Sequence, residues 1–286
     1  AKTCMQRNDW SNMLQASADV IQSGLYDLNT PFDRIFRESG ENSSESIFEL
    51  QCTATAALPG STDIGSQYAQ VQGVRGAGMW DLGWGWNCPT PNLASTFEAG
   101  DPRKDETLLY FLKPGEDPNS IQANKPYGEK PVAQEVMNRY YNKKVYTDPA
   151  KRTQFNRFGY WMNIRMIRVS EMYLIAAEAS NELGQTGDAM EYLEMVRARA
   201  RGGNADILPK ITTMDQAEMR DAMRHERRVE LAMEWDRFYD LVRWGIAREV
   251  LHAAGKTNYQ DKHALLPLPQ AEVDKSNGVL VQNPNY

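Results

Sequence analysis

Cysteine and histidine are scarce in these 286 residues, and their scarcity removes several chemistries at once. The three cysteines, Cys4, Cys52 and Cys88, share no short spacing, so neither a zinc knuckle nor a disulfide framework is suggested. They read as ordinary buried thiols. The three histidines, His225, His252 and His263, form no HExxH-like pair, which leaves no metal-catalytic signature. GxSxG is absent, nothing sets a Ser or Cys beside a His, and no Walker loop occurs. No cofactor is expected. Positive charge is also in short supply: 32 Lys and Arg stand against 38 Asp and Glu, a net −6. That balance offers no footprint for nucleic acid or anionic lipid. No apolar run approaches the roughly 18 residues of a spanning helix. Ala1 to Trp10 has no apolar core of the signal-peptide kind.

Aromatic residues are plentiful: 7 Trp, 13 Tyr and 8 Phe, with the Trp unevenly clustered. The chain divides by texture around them. Residues 5–22 follow helical spacing through Met13, Leu14, Ala16, Ala18, Val20 and Ile21, with Gly24 as a stop. Pro31 to Phe36 predicts a short turn of helix, and Ser46 to Gln51 predicts a short strand. From Cys52 to Pro102, glycine and aromatic residues exclude a helix of normal length. Lys113 to Pro149 is a second irregular zone, with a short helix predicted near Val132 to Tyr141. Long loops of this kind in compact proteins are usually functional or disordered, and their aromatic content argues against disorder.

The remainder is strongly helical. Asn163 to Leu183 and Thr186 or Gly187 to Ala200 predict a helical hairpin closed at Gly184. Ala176, Ala177 and Ala179 would permit the close packing of stacked tetratricopeptide units, although no strict repeat of about 34 residues is visible. A third helix is predicted from Thr213 with Gln216 at capping-box distance, and another from Trp235 or Asp236 to Ala254. The tail after it reads as extended.

Glu226, Glu230 and Glu234 form a like-charge stripe on the third helix, unfavourable unless cations meet it. A glycosidase would need two carboxylates about 5 to 10 Å apart, and helical neighbours at about 6 Å satisfy that spacing. However, Arg165, Arg168, Arg227, Arg228, Arg237 and Arg243 can supply partners, so the stripe reads as a structural ion-pair network. Such pairing lowers carboxylate pKa values, whereas a general acid needs one raised.

The loop from Gln67 to Asn87 combines ring faces, amides and one guanidinium. A sugar presents a CH-rich face and a rim of hydroxyls, so its site wants an aromatic platform with polar groups at the edge. Tyr68, Gln70, Gln72, Arg75, Trp80 and Trp84 are the candidate ligand-binding residues. Tyr68 and Trp80 are expected to be the more exposed rings, while Trp84 and Trp86 are as well suited to anchoring the loop on the helices. The glycines are expected to supply positive φ around the rings.

Several phrases, in order, resemble the C-terminal part of the SusD/RagB family of outer-membrane nutrient-binding lipoproteins. They include Ser23-Gly24-Leu25-Tyr26-Asp27-Leu28, Glu45-Ser46-Ile47-Phe48-Glu49-Leu50, Gly83-Trp84-Gly85-Trp86-Asn87-Cys88-Pro89-Thr90 and Gly100-Asp101-Pro102-Arg103. The helical half adds Arg168 to Ala179, Val196 to Ala200, Glu226 to Leu231, Arg237 to Gly245, Leu266-Pro267-Leu268-Pro269 and the ending Gln282 to Tyr286. The resemblance implies a mainly α fold, a tetratricopeptide-like α-α superhelix with long loops and a little β. Within it, 5–50 would hold helix and strand, 52–160 a loop-rich ligand-binding region, 161–255 helical hairpins and 256–286 an extended tail. It also implies a lipid-anchored protein of the bacterial cell surface that is not an enzyme. Such a protein passes an oligosaccharide, or in some members a peptide, to a SusC-like TonB-dependent transporter. The family's N-terminal half, with its lipidated Cys, is expected to lie outside these residues, and Cys4 is not that Cys. The site residues stay chemical choices, because the family has no fixed binding motif. Two other classes remain open: a helical-repeat scaffold whose main ligand is a protein, and a glycosidase using Glu226 and Glu230.

Overall fold

The protein's structure is a computed structural model that describes residues 1–117, 127 and 136–286. Among them the α-helices run in chain order. They are α1 (Lys2–Gln6), α2 (Trp10–Gln22), α3 (Phe32–Ile35), α4 (Tyr68–Gln72), α5 (Pro91–Ala94), α6 (Pro102–Thr107) and α7 (Pro149–Gln154). After these come α8 (Val169–Glu182), α9 (Thr186–Arg201), α10 (Gln216–Glu230), α11 (Arg237–Arg243), α12 (Ala247–Ala253) and α13 (Gln270–Lys275). The strands are β1 (Ser46–Leu50), β2 (Leu108–Tyr110), β3 (Tyr140–Asn142) and β4 (Ile164–Arg168). They form two small antiparallel pairs, β1 with β4 and β2 with β3. The fold is mainly helical, as the sequence predicts. It divides into two compact units, Ala1–Met233 and Glu234–Tyr286.

In the first unit α8 is the centre. Met172, Ile175 and Ala179 on one face pack with Met5 and Met13 of α1 and α2. Leu174 and Ala177 on another pack with Ala189, Leu193 and Val196 of α9 and with Met219 and Met223 of α10. Ala176, Ala177 and Ala179 are fully buried, and their lack of bulk lets these neighbours close in from several sides. Gly184, at φ +79°, makes the turn between α8 and α9 that an L side chain would strain. The hairpin is therefore the tetratricopeptide-like unit expected from the sequence.

Four boundaries differ from the sequence reading. The helix expected over 5–22 breaks at Asn8, which sits at φ +53°, and restarts where Asp9 accepts from Asn12 N. Ile164–Arg168 is a strand rather than the first turn of α8: its Ile-rich backbone pairs with β1, Ser46 facing Arg168 and Leu50 facing Ile164. Asp215, not Thr213, caps α10, its carboxylate accepting from the amides of Ala217 and Glu218. Of the helix expected near Val132 to Tyr141, residues 132–135 lie outside the described residues and 140–142 form β3.

In the second unit, Gly245 at φ +71° splits one expected helix into α11 and α12. Its tail is not simply extended, because α13 interrupts it after Pro269. The two tail phrases clasp each other. Leu268 N donates to Gln282 Oε1 at 2.8 Å, Gln282 Nε2 donates to Leu268 O at 2.8 Å, and the Tyr286 hydroxyl donates to Leu265 O at 2.8 Å.

Candidate functional site

The aromatic loop is built on the C-terminal end of the short helix α4. A helix end leaves carbonyls without intrahelical partners, and here the loop supplies them. Trp84 N donates to Gln70 O at 2.9 Å, Trp86 N to Val71 O at 3.0 Å and Gly85 N to Gly73 O at 3.0 Å. This seam requires Gly73, where a Cβ would stand 2.4 Å from Leu82 O, and glycine at two further places. A Cβ at Gly83 would stand 2.1 Å from Gln70 O, and Gly85 holds φ +67° with any Cβ only 2.9 Å from that of Arg75. Positive φ thus explains Gly78 and Gly85, while Gly83 serves close approach instead.

With Gly85 between them, the indoles of Trp84 and Trp86 lie together, ring centroids 5.1 Å apart and planes tilted by 50°. They are 38% and 60% exposed. Beside them Arg75 and Asp81 meet in an isolated antiparallel bridge that closes the 75–81 loop. Arg75, Gly76, Asp81, Gly83, Trp84 and Trp86 line an open cleft of about 550 Å³. Asp81 Oδ2 is paired with Arg157 Nη2 at 2.9 Å. A second hollow, against Ala69, Leu82 and Phe158, measures about 10 Å³, room for one water at most.

The expectation that Trp80 is one of the more exposed rings does not hold. Trp80 is only 4% exposed, and its ring meets Phe111 edge-on at 5.0 Å and lies 6.0 Å from Tyr146. The cause is local: a single 3-10 turn, Gly78–Trp80, with Gly78 at φ +60°, directs the indole into the cluster of Val74, Leu82 and Tyr141. Trp84 and Trp86 are the rings that face solvent. Tyr68 is half-buried, away from the cleft lining. Gln70 and Gln72 are buried and brace the loop from within. Gln70 Oε1 accepts from the Tyr160 hydroxyl at 2.5 Å, and Gln72 Oε1 accepts from Asn87 Nδ2 at 2.8 Å and Asn142 Nδ2 at 3.0 Å. Of the six candidates, Arg75 and Trp84 therefore come together in the cleft. Trp86 was legible as its ring at i+2, and Asp81 as the polar residue after Trp80, but neither stood among the six.

The carboxylate stripe is elsewhere. Glu226 and Glu230 are fully buried. Glu226 accepts from Arg103 and from Arg197 at 2.9 Å; Glu230 accepts from Arg103 at 3.2 Å, Arg168 at 3.0 Å and Arg199 at 2.5 Å. Burial alone would raise the Glu230 pKa, but the guanidinium groups of Arg199, Arg168 and Arg103 hold it well below the usual carboxylate range. A buried carboxyl whose ionised form is favoured in this way is unsuited to protonating a leaving group. The network expected from the sequence exists with only part of the expected partners: Arg168 pairs with Glu230 as expected, whereas Arg227 goes to Glu171 and Arg228 to Asn92, and Arg103, Arg197 and Arg199 complete the set.

The cysteines are half-buried and unpaired, and burial pushes the Cys88 thiol up to about 11, far from a nucleophilic thiolate. Among the described residues no group of His, Cys, Asp and Glu could hold a metal ion, and no helix is long and apolar enough to cross a membrane.

Comparison with known proteins gives this geometry a family. The SusD-like protein P2 of Formosa agariphila is 30% identical over 246 residues, covering 79% of this chain and 46% of that protein. Among solved structures, surface glycan-binding protein A from Bacteroides thetaiotaomicron superposes with a TM-score of 0.74 at 26% identity, covering all of this chain and 62% of that one. The same protein in complex with laminarihexaose matches with a TM-score of 0.70 at 27% identity, over 99% of this chain and 62% of that one. This chain spans about half the length of the curated relatives it matches. A sequence model of the SusD family matches residues 44–286, and the chain belongs to that family.

Proposed function

We propose that this chain is the glycan-binding part of a cell-surface protein that captures oligosaccharides and hands them to a SusC-like TonB-dependent transporter in the outer membrane. The observation that carries the reading is the exposed Trp84–Trp86 pair at the wall of an open cleft edged by Arg75 and Asp81. Two indoles offer apolar faces to the CH-rich faces of sugar rings, and the guanidinium and carboxylate reach their hydroxyls. The 50° between the ring planes suits successive sugars that turn relative to one another better than a flat ribbon. The SusD-like relatives support glycan over peptide, since the structurally similar Bacteroides protein is a surface glycan-binding protein seen with laminarihexaose. Binding here needs no bond cleavage. An anchor and the transporter contact belong to the whole protein in this reading.

Isothermal titration with laminarihexaose and a panel of other oligosaccharides tests it, with mixed peptides as the rival ligand and reducing-end release as the rival activity. We expect at least one oligosaccharide to bind, with Trp84→Ala and Trp86→Ala each weakening it about ten-fold, the loss of roughly 1–2 kcal/mol of ring stacking. Peptide binding without glycan binding would replace the reading with the peptide-binding one. Reducing ends released by the protein would make it an enzyme.

A further inference from the structure

The charges around the cleft do not cancel. Among the described residues Asp81 is the single acidic residue of its lining, and that carboxylate already has a counter-ion in Arg157 at 2.9 Å. Arg75 also lines the cleft, is exposed, and makes no ion pair among the described residues. Its backbone is fixed on both sides: it bridges to Asp81, and its carbonyl accepts from the Tyr141 hydroxyl at 3.4 Å. Arg157, itself outside this lining, therefore neutralises Asp81, and the guanidinium of Arg75 stands beside the indoles with no ion pair among the described residues. A guanidinium is a planar fork of donors that matches a carboxylate or sulfate through two parallel hydrogen bonds, and a neutral hydroxyl uses only part of that capacity.

From this arrangement we infer that the cleft selects glycans carrying an anionic substituent, a uronate carboxylate or a sulfate ester, with Arg75 as the residue that reads it. The inference rests on the carbohydrate reading above and narrows its ligand class. The sugar stacks on Trp84 and Trp86, its acidic group pairs with Arg75, and Arg157 keeps Asp81 from repelling that group. The chain carries a net charge of −6, so an acidic glycan gains nothing from the molecule as a whole. Selection depends on this one local imbalance.

The test is a binding screen of this chain against neutral, uronate-containing and sulfated oligosaccharides, followed by titration of the hits. The expected result is tighter binding of acidic oligosaccharides. Arg75→Gln should weaken them roughly ten-fold, Arg75→Lys less, consistent with loss of a charge-assisted hydrogen bond. Affinity should fall as salt rises from about 50 mM to about 500 mM, because an exposed charge pair is screened. Asp81→Asn should tighten acidic glycans, because it removes a negative charge from the cleft lining. Whether uronates or sulfates respond more strongly to Arg75→Lys separates the two sources of the charge. Hits confined to neutral glycans, or acidic hits indifferent to Arg75→Gln and to salt, would overturn the inference and leave the carbohydrate reading standing. No binding of any glycan would remove both.

Discussion

Arg168 Nη1 lies 3.0 Å from Glu230 Oε1, and neither side chain reaches solvent. The pair belongs to a larger buried cluster. Arg168 also donates to Glu45 at 2.8 Å, Arg199 reaches Glu230 and Glu45, and Arg103 joins Asp101, Glu226 and Glu230. Arg197 links Glu226 to Glu98. Four guanidinium groups thus face four fully buried carboxylates, with Glu98 at the edge. The cluster ties the end of β4, α6, α9 and α10 into one arrangement. Because burying each ion costs several kcal/mol, its chief effect is to fix which elements meet.

Removing one member exposes that cost. In Glu230→Gln the charges of Arg103, Arg168 and Arg199 lose a shared counter-ion while staying buried. We expect a loss of about 3–5 kcal/mol, the usual outcome of breaking a buried pair from one side. Urea unfolding measures it. A loss under about 1 kcal/mol would show that water reaches the cluster.

The same carboxylate sets an acid limit. Its pKa is lowered on folding, so its contribution is fully present above the carboxylate's unfolded pKa of about 4.3 and is lost as pH falls through the depressed value. Glu171, held down by Arg227 and Lys2 against its burial, adds in the same direction. Glu45 opposes them, since burial raises its pKa and its contribution is lost as pH rises. Stability should therefore decline below about pH 4, and Glu230→Gln should flatten that decline. An unchanged pH slope in the variant would assign the acid limit to other groups.

Much of this cluster was legible in part. The stripe of Glu226 and Glu230 announced a need for cations because like charges at helical spacing repel. Helix periodicity says nothing about partners distant in sequence, so nearby Arg227 and Arg228 were expected where Arg103, 123 residues from Glu226, does the pairing. The α8–α9 hairpin was legible because its apolar spacing and Gly184 are local signals. Ile164–Arg168 was not, because β1, its pairing partner, lies over a hundred residues away. In the loop, composition showed the rings and polar groups together but not which rings are exposed. Whether Trp80 or Trp86 faces solvent depends on one 3-10 turn and on where α4's free carbonyls pull the chain.

That seam makes the glycine at 83 a test of the loop. Gly83→Ala sets a Cβ against Gln70 O, a backbone atom that cannot swing aside, so Trp84 N must leave Gln70 O. We expect a loss of roughly 1–3 kcal/mol in stability together with loss of glycan binding. Near-ultraviolet circular dichroism, which senses the packing of the indoles, should change as well. Retained binding with an unchanged spectrum would mean that the loop does not depend on this close approach.

The tryptophans should separate stability from recognition. Trp80 is buried against Phe111, Tyr141 and Tyr146, so Trp80→Ala leaves a cavity and should cost about 3–5 kcal/mol. Trp86 is 60% exposed, so Trp86→Ala should stay within about 1 kcal/mol of the parent in unfolding while weakening the glycan. Trp80→Phe keeps a ring in the cluster and should recover most of the stability, since its indole N–H has no hydrogen-bond partner among the described residues to lose. Thermal unfolding and titration of the same three variants decide it. If Trp80→Phe folds normally yet fails to bind, while Trp86→Ala binds like the parent, the ligand contacts lie on the other side of this loop from the cleft described above.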